Sequence, residues 1–168
     1  VSRRLEGRML PDLKLPATTG REMSLRKLGG RLLLIVYPWT GRPGVPNPPH
    51  WDDIPGAHGS TPELEGFRDL TGEFAKRGIA LYGVGGQDTD YQGEMAARLR
   101  LGFPILSDAE GHLREGLDLP VFATGGVIYL KRLTLLINRG HVERVFYPVT
   151  DPGKHASIVL DSLNGTLG

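Results

Sequence analysis

The chain has 168 residues, of which 39% are hydrophobic and 23% charged, a composition typical of one globular domain. Its formal net charge of +1 gives no electrostatic footprint for nucleic acid, and no apolar run approaches the ~20 residues that a membrane-spanning helix needs. It contains no cysteine, which excludes disulfides and thiol chemistry in the sequence as it stands. We expect a single domain over residues 1–168. Because residues 1–7 lack the apolar core of a signal peptide, we also expect a cytoplasmic protein.

The first third of the chain predicts a sheet strand that is buried on both faces. Short strands are expected at 13–16 and 22–24. Residues 31–37 form a continuous apolar run closed by Pro38, as in a central strand covered by helices. The segment 38–59 contains six prolines and is long for a loop in a compact domain, which indicates a functional segment or a stiffened insertion.

The pattern that follows this loop is that of a helix start. Ser60 and Glu63 have the spacing of a capping box, and Pro62 is tolerated in a first helical turn. An apolar stripe then predicts a helix over about 61–77. The stripe consists of Leu64, Phe67, Leu70 and Phe74. Ser60 would lie at the positive end of this helix, which can stabilise an anion or a deprotonated nucleophile.

The rest of the chain alternates strands and helices, which predicts a mainly parallel sheet with helices on both sides. Strands are expected at 79–84, 103–106, 132–137 and 141–147, and helices at 88–101, 107–117 and 152–163. A turn at residues 138–140 predicts that the last two strands form an antiparallel hairpin. Residues 118–130 give no clear assignment.

Motifs along nearly the whole chain resemble one known family. They are residues 7–16, 20–25, 34–38, 60–69, 82–84, 103–108, 131–137 and 145–149. In this order they resemble the peroxiredoxins of the AhpC/TSA family, and most closely the bacterioferritin-comigratory or peroxiredoxin Q branch. The resemblance implies an α/β, thioredoxin-like (peroxiredoxin-type) fold with a central mixed sheet flanked by helices. It implies a monomeric or homodimeric thiol-dependent peroxidase, which reduces hydrogen peroxide or organic hydroperoxides and uses a thiol reductant such as thioredoxin.

The resemblance also implies which residues form the site. The family's peroxidatic cysteine corresponds to Ser60, and the arginine that holds the thiolate and the peroxide corresponds to Arg132. Pro38 and Thr40 are the candidates for the residues that shield and orient the site. When a resolving cysteine lies on the same helix, its position corresponds to Glu65. No cofactor or metal ion is implied.

A serine at the nucleophile position changes the expected activity. A helix N-terminus and an arginine favour a thiolate, but a serine hydroxyl is weakly nucleophilic at its own pKa. We therefore expect no peroxidase turnover from the chain as written. Ser60 is either a Cys→Ser replacement or the native residue of a cysteine-less relative. Glutamate is an unusual choice when a cysteine is replaced on purpose, so position 65 lacked a cysteine from the start. The parent protein would then be a one-cysteine enzyme regenerated by an external thiol, or no enzyme at all.

Simpler interpretations of the same residues remain open. Capping alone explains Ser60 and Glu63, and Arg132 could be a salt-bridging arginine. Tyr37 or Trp39 is expected to form a wall of the pocket. The alternative function, from another class, is a non-catalytic thioredoxin-fold binding or chaperone-like module.

The proline-rich segment allows two further interpretations. Its histidines and carboxylates could ligate zinc, although such groups in a stiff loop are more often solvated. They are His50, Asp52, Asp53 and His58. Trp39 and Trp51 are expected to pin the segment to the body of the domain. Residues 58–62 do not match the Gly-x-Ser-x-Gly turn of serine hydrolases.

Overall fold

The computed structural model describes residues 1–165. The helices are α1 (Ser2–Leu5), α2 (Ser60–Asp69), α3 (Thr71–Lys76), α4 (Thr89–Leu99), α5 (His112–Leu117) and α6 (Pro152–Gly165). The strands are β1 (Leu15–Pro16), β2 (Glu22–Met23), β3 (Arg31–Val36), β4 (Ile79–Gly85), β5 (Ile105–Ser107), β6 (Val121–Thr124), β7 (Val127–Leu130), β8 (Leu133–Asn138) and β9 (His141–Phe146). In this described part of the chain, no helix is long and apolar enough to cross a membrane.

The centre of the fold is a mixed five-stranded sheet with the strand order β5-β4-β3-β8-β9. β3 pairs in parallel with β4, which pairs in parallel with β5, whereas β8 and β9 run antiparallel. The predicted combination of a parallel part and a closing antiparallel hairpin is therefore confirmed. Arg139 and Gly140 form the hairpin turn with φ angles of 50° and 83°, as a two-residue turn with positive φ requires.

β3 is buried on both faces, as its apolar run predicts. Leu32, Leu34 and Val36 face one hydrophobic cluster, and Leu33 and Ile35 face the other. This alternation follows from the period of two in a strand. The second cluster also contains side chains of α2 and α6, so both helices cover the same face of the sheet. The start of α2 lies near the end of β3, because Trp39, just after β3, lines the same small cavity as Ser60.

The helix predicted over 61–77 is two helices, and the prediction of one continuous helix was wrong. Its break lies at Leu70, between α2 and α3. Thr71 supplies the physical reason, because its Oγ1 donates to the carbonyl oxygens of Phe67 and Arg68 at 3.2 and 2.9 Å. A threonine hydroxyl that binds the carbonyls of the preceding turn competes with the backbone ladder and bends or ends the helix.

The unassigned residues 118–130 contain a small hairpin, formed by β6 and β7. Gly125 and Gly126 make its turn at φ angles of 59° and 77°. The hairpin packs against the proline-rich segment, because Phe122 and Tyr129 contact Trp51 with ring centroids 5.5 and 5.0 Å apart. This aromatic cluster fixes the segment close to the start of α2.

Candidate active site

The N-terminus of α2 is built differently from the predicted capping box. Gly59 is the N-cap residue, with a φ of 116°, and no side chain caps the helix. A side chain at Gly59 would place its Cβ 2.9 Å from Pro152, so only glycine fits. Ser60 is therefore the first residue of the helix, whereas the capping-box prediction had placed it at the N-cap, one position before the helix. The capping-box interpretation of Ser60 and Glu63 was wrong.

Arg132 binds Ser60 instead. The arginine lies immediately before β8, is 3% exposed, and donates from Nη1 to Ser60 Oγ at 3.0 Å. The same Nη1 donates to Glu63 Oε1 at 3.0 Å. Nε and Nη2 donate to the carbonyl oxygens of Gly56 and Ala57 at 3.2 and 2.9 Å. Four hydrogen bonds thus hold the guanidinium in one orientation, with its charge directed at the oxygen of residue 60.

Glu63 is a buried partner of this arginine rather than a capping residue. Its side chain is fully buried, and its Oε2 has no hydrogen-bond partner among residues 1–165. Burial raises the pKa of Glu63 to about 7, although the charge of Arg132 and its hydrogen bond act in the opposite direction. The carboxyl therefore changes charge close to neutral pH, next to the hydroxyl at residue 60.

Ser60 opens into a small cavity of about 150 Å³. Trp39 and Trp51 line it together with Asn47 and the first residues of α2. Thr61 and the residue before it are in the first turn, where backbone N–H groups have no partner inside the helix, and the helix dipole adds partial positive charge. The cavity therefore meets the positive end of α2. The guanidinium of Arg132 does not line the cavity and adds positive potential from behind Ser60, whose Oγ it contacts at 3.0 Å.

Thr40 and Pro38 are both buried at the exit of β3, but their recorded contacts are with other residues. Thr40 Oγ1 donates to Gln87 Oε1 at 3.1 Å, and its carbonyl oxygen accepts from Tyr91 Oη at 2.7 Å. These bonds tie the exit of β3 to the residues around the start of α4. The direct role of Pro38 and Thr40 in the site stays a prediction.

The two aromatic residues proposed as walls of the pocket differ in position. Trp39 lines the Ser60 cavity and makes an edge contact with Trp51 at a centroid distance of 5.5 Å. Tyr37 is instead fully buried in the hydrophobic cluster between the sheet and the helices α2 and α6. The structure therefore supports Trp39 as the wall.

The proline-rich segment covers the site. Trp51 is 4% exposed, and the carbonyl oxygens of Gly56 and Ala57 hold the guanidinium of Arg132. The expectation that Trp51 pins the segment to the rest of the molecule agrees with its burial. The segment does not gather metal ligands: within residues 1–165 no three histidine, aspartate or glutamate side chains lie close enough to hold an ion. His58 and Asp52 approach each other at 3.5 Å and are largely exposed.

His155 belongs to the surroundings of the site and was not predicted. It lies on α6, is 5% exposed, and its Nε2 is 2.9 Å from Thr134 Oγ1 on β8. Burial, assisted by the charge of Arg132, lowers the pKa of His155 to about 4, so the ring is neutral at physiological pH. The spacing of His155, Val159 and Leu163 at i, i+4 and i+8 was the available signal, because it places the histidine on the buried stripe of the helix.

These features define an α/β protein with a thioredoxin-like sheet and an arginine-held polar residue at a helix N-terminus after the central strand. Comparison with protein families gives a match to the family described as Redoxin over residues 5–163. The chain belongs to the Redoxin family.

Individual relatives agree with this assignment. A Mycobacterium tuberculosis protein described as a peroxiredoxin is 28% identical over 134 residues, which covers 79% of this chain and 77% of the relative. The chloroplastic peroxiredoxin Q of Populus jackii is 26% identical over 159 residues, with coverages of 94% and 67%.

Solved structures give the same result. A Cys→Ser variant of Xanthomonas campestris peroxiredoxin Q superposes with a TM-score of 0.76 and 26% identity, covering 98% of both chains. The peroxidoxin BcpB of Mycobacterium tuberculosis gives a TM-score of 0.75 and 25% identity, covering 96% of this chain and 97% of that one. The expected peroxiredoxin-type fold is thereby confirmed.

Proposed function

We propose that the Ser60 cavity is the peroxide-reducing site of a peroxiredoxin in which serine occupies the position of the reactive cysteine. The observation that carries this proposal is the 3.0 Å hydrogen bond from Arg132 Nη1 to Ser60 Oγ at the start of α2. The peroxiredoxin relatives support it, and the absence of cysteine from the sequence accounts for an inactive form. The chain as written does not turn over peroxide.

With a thiol at residue 60, the site would favour the thiolate. The helix N-terminus and Arg132 both stabilise the negative charge, which lowers the pKa of a cysteine there. The thiolate sulfur attacks one peroxide oxygen, the O–O bond breaks, and the departing oxygen takes a proton to leave as water or an alcohol. Arg132 stabilises the charge that develops on that oxygen. An external thiol attacks the sulfenic sulfur to give a mixed disulfide and water, and a second thiol then displaces the cysteine thiolate from that disulfide.

The partners follow from this chemistry. The substrate is a peroxide, and one of the Xanthomonas campestris structures is described in terms of alkyl peroxide reduction. The reductant is a thiol protein such as thioredoxin, because the position of a resolving cysteine is occupied by Glu65. We assign to Pro38 and Thr40 the shielding of the cavity from water, with Gln87 holding Thr40 in place.

Peroxide consumption by the Ser60→Cys variant tests the proposal, with dithiothreitol as reductant and the unchanged chain as control. Mass spectrometry detects a sulfenic adduct at residue 60. The matched variant is Thr89→Cys, which places a thiol at the first position of the eleven-residue helix α4. Thr89 has no arginine bound to it among residues 1–165, so this variant tests a helix N-terminus without a guanidinium. Its neighbours are the carboxylates of Asp88 and Asp90.

Rapid consumption by Ser60→Cys, with an adduct at residue 60, is the expected result. Thr89→Cys should react at the rate of an ordinary thiol, and the unchanged chain should not consume peroxide. If Ser60→Cys reacts no faster than Thr89→Cys, the fold has been retained without its peroxidase site, and the proposal is wrong.

A further inference from the structure

A second and larger cavity lies beside Arg132, and Ser60 does not line it. Its volume is about 450 Å³, against about 150 Å³ for the Ser60 cavity. One wall is the segment between β9 and α6, residues 147–150, and another is Phe122 from β6. The function proposed for Ser60 makes no use of this space, which lies within the usual range for small-molecule sites.

The walls of this cavity are mainly apolar. Tyr147, Pro148 and Val149 line one side, and the ring of Phe122 lines another. Phe122 is held in place by stacking on Tyr129 at a centroid distance of 5.5 Å. Because the ring is fixed before a ligand arrives, little side-chain entropy is lost when an apolar group packs against it.

The two charged side chains that line the cavity are cations, and Glu63, the acidic partner of one of them, does not line it. Lys131 and Arg132 both line it, and none of its lining residues is acidic. Lys131 is exposed and forms no ion pair within the described part of the chain. A guanidinium has five N–H groups, and the four hydrogen bonds of Arg132 leave one Nη2 hydrogen without a partner in residues 1–165.

From this combination we propose that the cavity binds a small organic anion, a carboxylate carried by an aromatic or other apolar group. The carboxylate would lie between Lys131 and the free N–H of Arg132, and the apolar part would pack against Phe122 and the 147–150 segment. Apolar walls with a few convergent polar groups are the usual form of a ligand site. The cation pair selects an anion over a neutral molecule of the same shape. The site shares Arg132 with the Ser60 site but needs no thiol, so binding can be measured in the unchanged chain whether or not residue 60 supports peroxidase activity.

Isothermal titration of the unchanged chain with 3-phenylpropionate tests the proposal, and the uncharged 3-phenylpropanamide serves as the matched ligand. The carboxylate should bind at least about tenfold more tightly than the amide. Amide chemical shifts should change for residues 147–150 and leave residues 39–47, at the Ser60 cavity, unchanged. Equal affinities, no binding of the carboxylate, or shifts at residues 39–47 would overturn the proposal.

A pair of lysine variants tests the charge directly. Lys131→Met keeps the long apolar stem and removes the charge, and it should weaken binding of 3-phenylpropionate about fivefold. Lys14→Met removes the same charge at an exposed position that does not line this cavity, and it should leave the affinity unchanged. An equal loss in both variants would show a nonspecific effect of net charge and would contradict the site. Both lysines are exposed, so the variants should fold normally.

Discussion

The starts of α2 and α4 look alike in sequence and differ in structure. At α4, Asp88 Oδ1 accepts a hydrogen bond from the backbone N–H of Tyr91 at 2.8 Å, so the side chain serves the helix as a cap. At α2, Ser60 and Glu63 accept from Arg132 and leave the first-turn N–H groups uncapped. The polar residues of one helix start stabilise the helix, and those of the other form a site.

Burial explains why the two starts diverge. Asp88 is exposed, where a capping hydrogen bond is the main favourable interaction open to it. Ser60 and Glu63 are 3% and 0% exposed, and a buried carboxylate needs a cationic partner more than a helix needs a cap. Arg132 supplies that partner, and the uncapped helix end remains available to an anion. A capping signature therefore predicts a helix start without predicting what its side chains bind.

Removing Arg132 should change the free energy of unfolding most, because this residue binds both Ser60 and Glu63 at the start of α2. Arg132→Met leaves Glu63 buried without its cation and two carbonyl groups without a donor. We expect a loss of about 3–5 kcal/mol in the free energy of unfolding, measured by urea denaturation at pH 8. The double variant Arg132→Met/Glu63→Met should regain most of this loss. A loss under about 1 kcal/mol in the single variant would contradict the buried pair.

The pH dependence of stability should reveal Glu63. Its pKa is raised to about 7 in the folded chain, so the folded state holds a proton that the unfolded state releases near its ordinary value of 4.5. The contribution of Glu63 to the free energy of unfolding is complete below pH ~4.5 and is lost as the pH rises through 7. The loss amounts to about 3 kcal/mol. Glu63→Gln should remove this loss. Denaturant unfolding of both chains from pH 4 to 8 measures it, and parallel curves would refute the assignment.

His155 should give the opposite slope. Its pKa is lowered to about 4, so its contribution is present above the unfolded value of 6.5 and is lost as the pH falls through 4. His155→Gln should remove an acid-side loss of about 3 kcal/mol. Measuring unfolding against pH in the Glu63→Gln background separates the two residues, because His155 is then the only one of the pair that titrates. A Glu63→Gln chain whose stability is flat between pH 4 and 6.5 would disprove this role.

The smallest effects compare the two helix starts directly. Asp88→Ala removes a cap and should cost about 1 kcal/mol in the free energy of unfolding. Ser60→Ala removes no cap but leaves one buried N–H of Arg132 without its acceptor, and should cost about 1–3 kcal/mol, at least as much as Asp88→Ala. Thermal and urea unfolding of the two variants measure the difference. A cost for Ser60→Ala well below that of Asp88→Ala would contradict the buried hydrogen bond from Arg132 to Ser60.

The sequence was most informative where local pattern decides the structure. The buried run of β3 and the 138–140 turn were predicted because apolar continuity and turn chemistry are local signals. The two-glycine turn at 125 and 126 carried a similar signal for β6 and β7 that was missed.

The site depends on contacts that are distant in sequence, and these could be predicted only in part. Arg132 and Ser60 are 72 positions apart, and family resemblance rather than spacing brought them together. The partnership of Glu63 with that arginine was missed because capping gave a sufficient local explanation. Two further features depend on the folded chain and cannot be predicted from hydrophobic periodicity. They are the hydrogen bonds of Thr71 that end α2 and the hydrogen bonds from Arg132 to the carbonyl oxygens of Gly56 and Ala57.

The most direct test of the α2 start as an anion-stabilising site is the pKa of a thiol placed there. Alkylation rates with iodoacetamide between pH 4 and 10 give this pKa for the Ser60→Cys and Thr89→Cys variants. The account predicts a pKa for the Ser60→Cys thiol at least about one unit below that of the Thr89→Cys thiol. Arg132 contacts only the former, and the carboxylates of Asp88 and Asp90 flank only the latter. Equal pKa values would mean that the guanidinium does not stabilise an anion at residue 60, which contradicts the central claim.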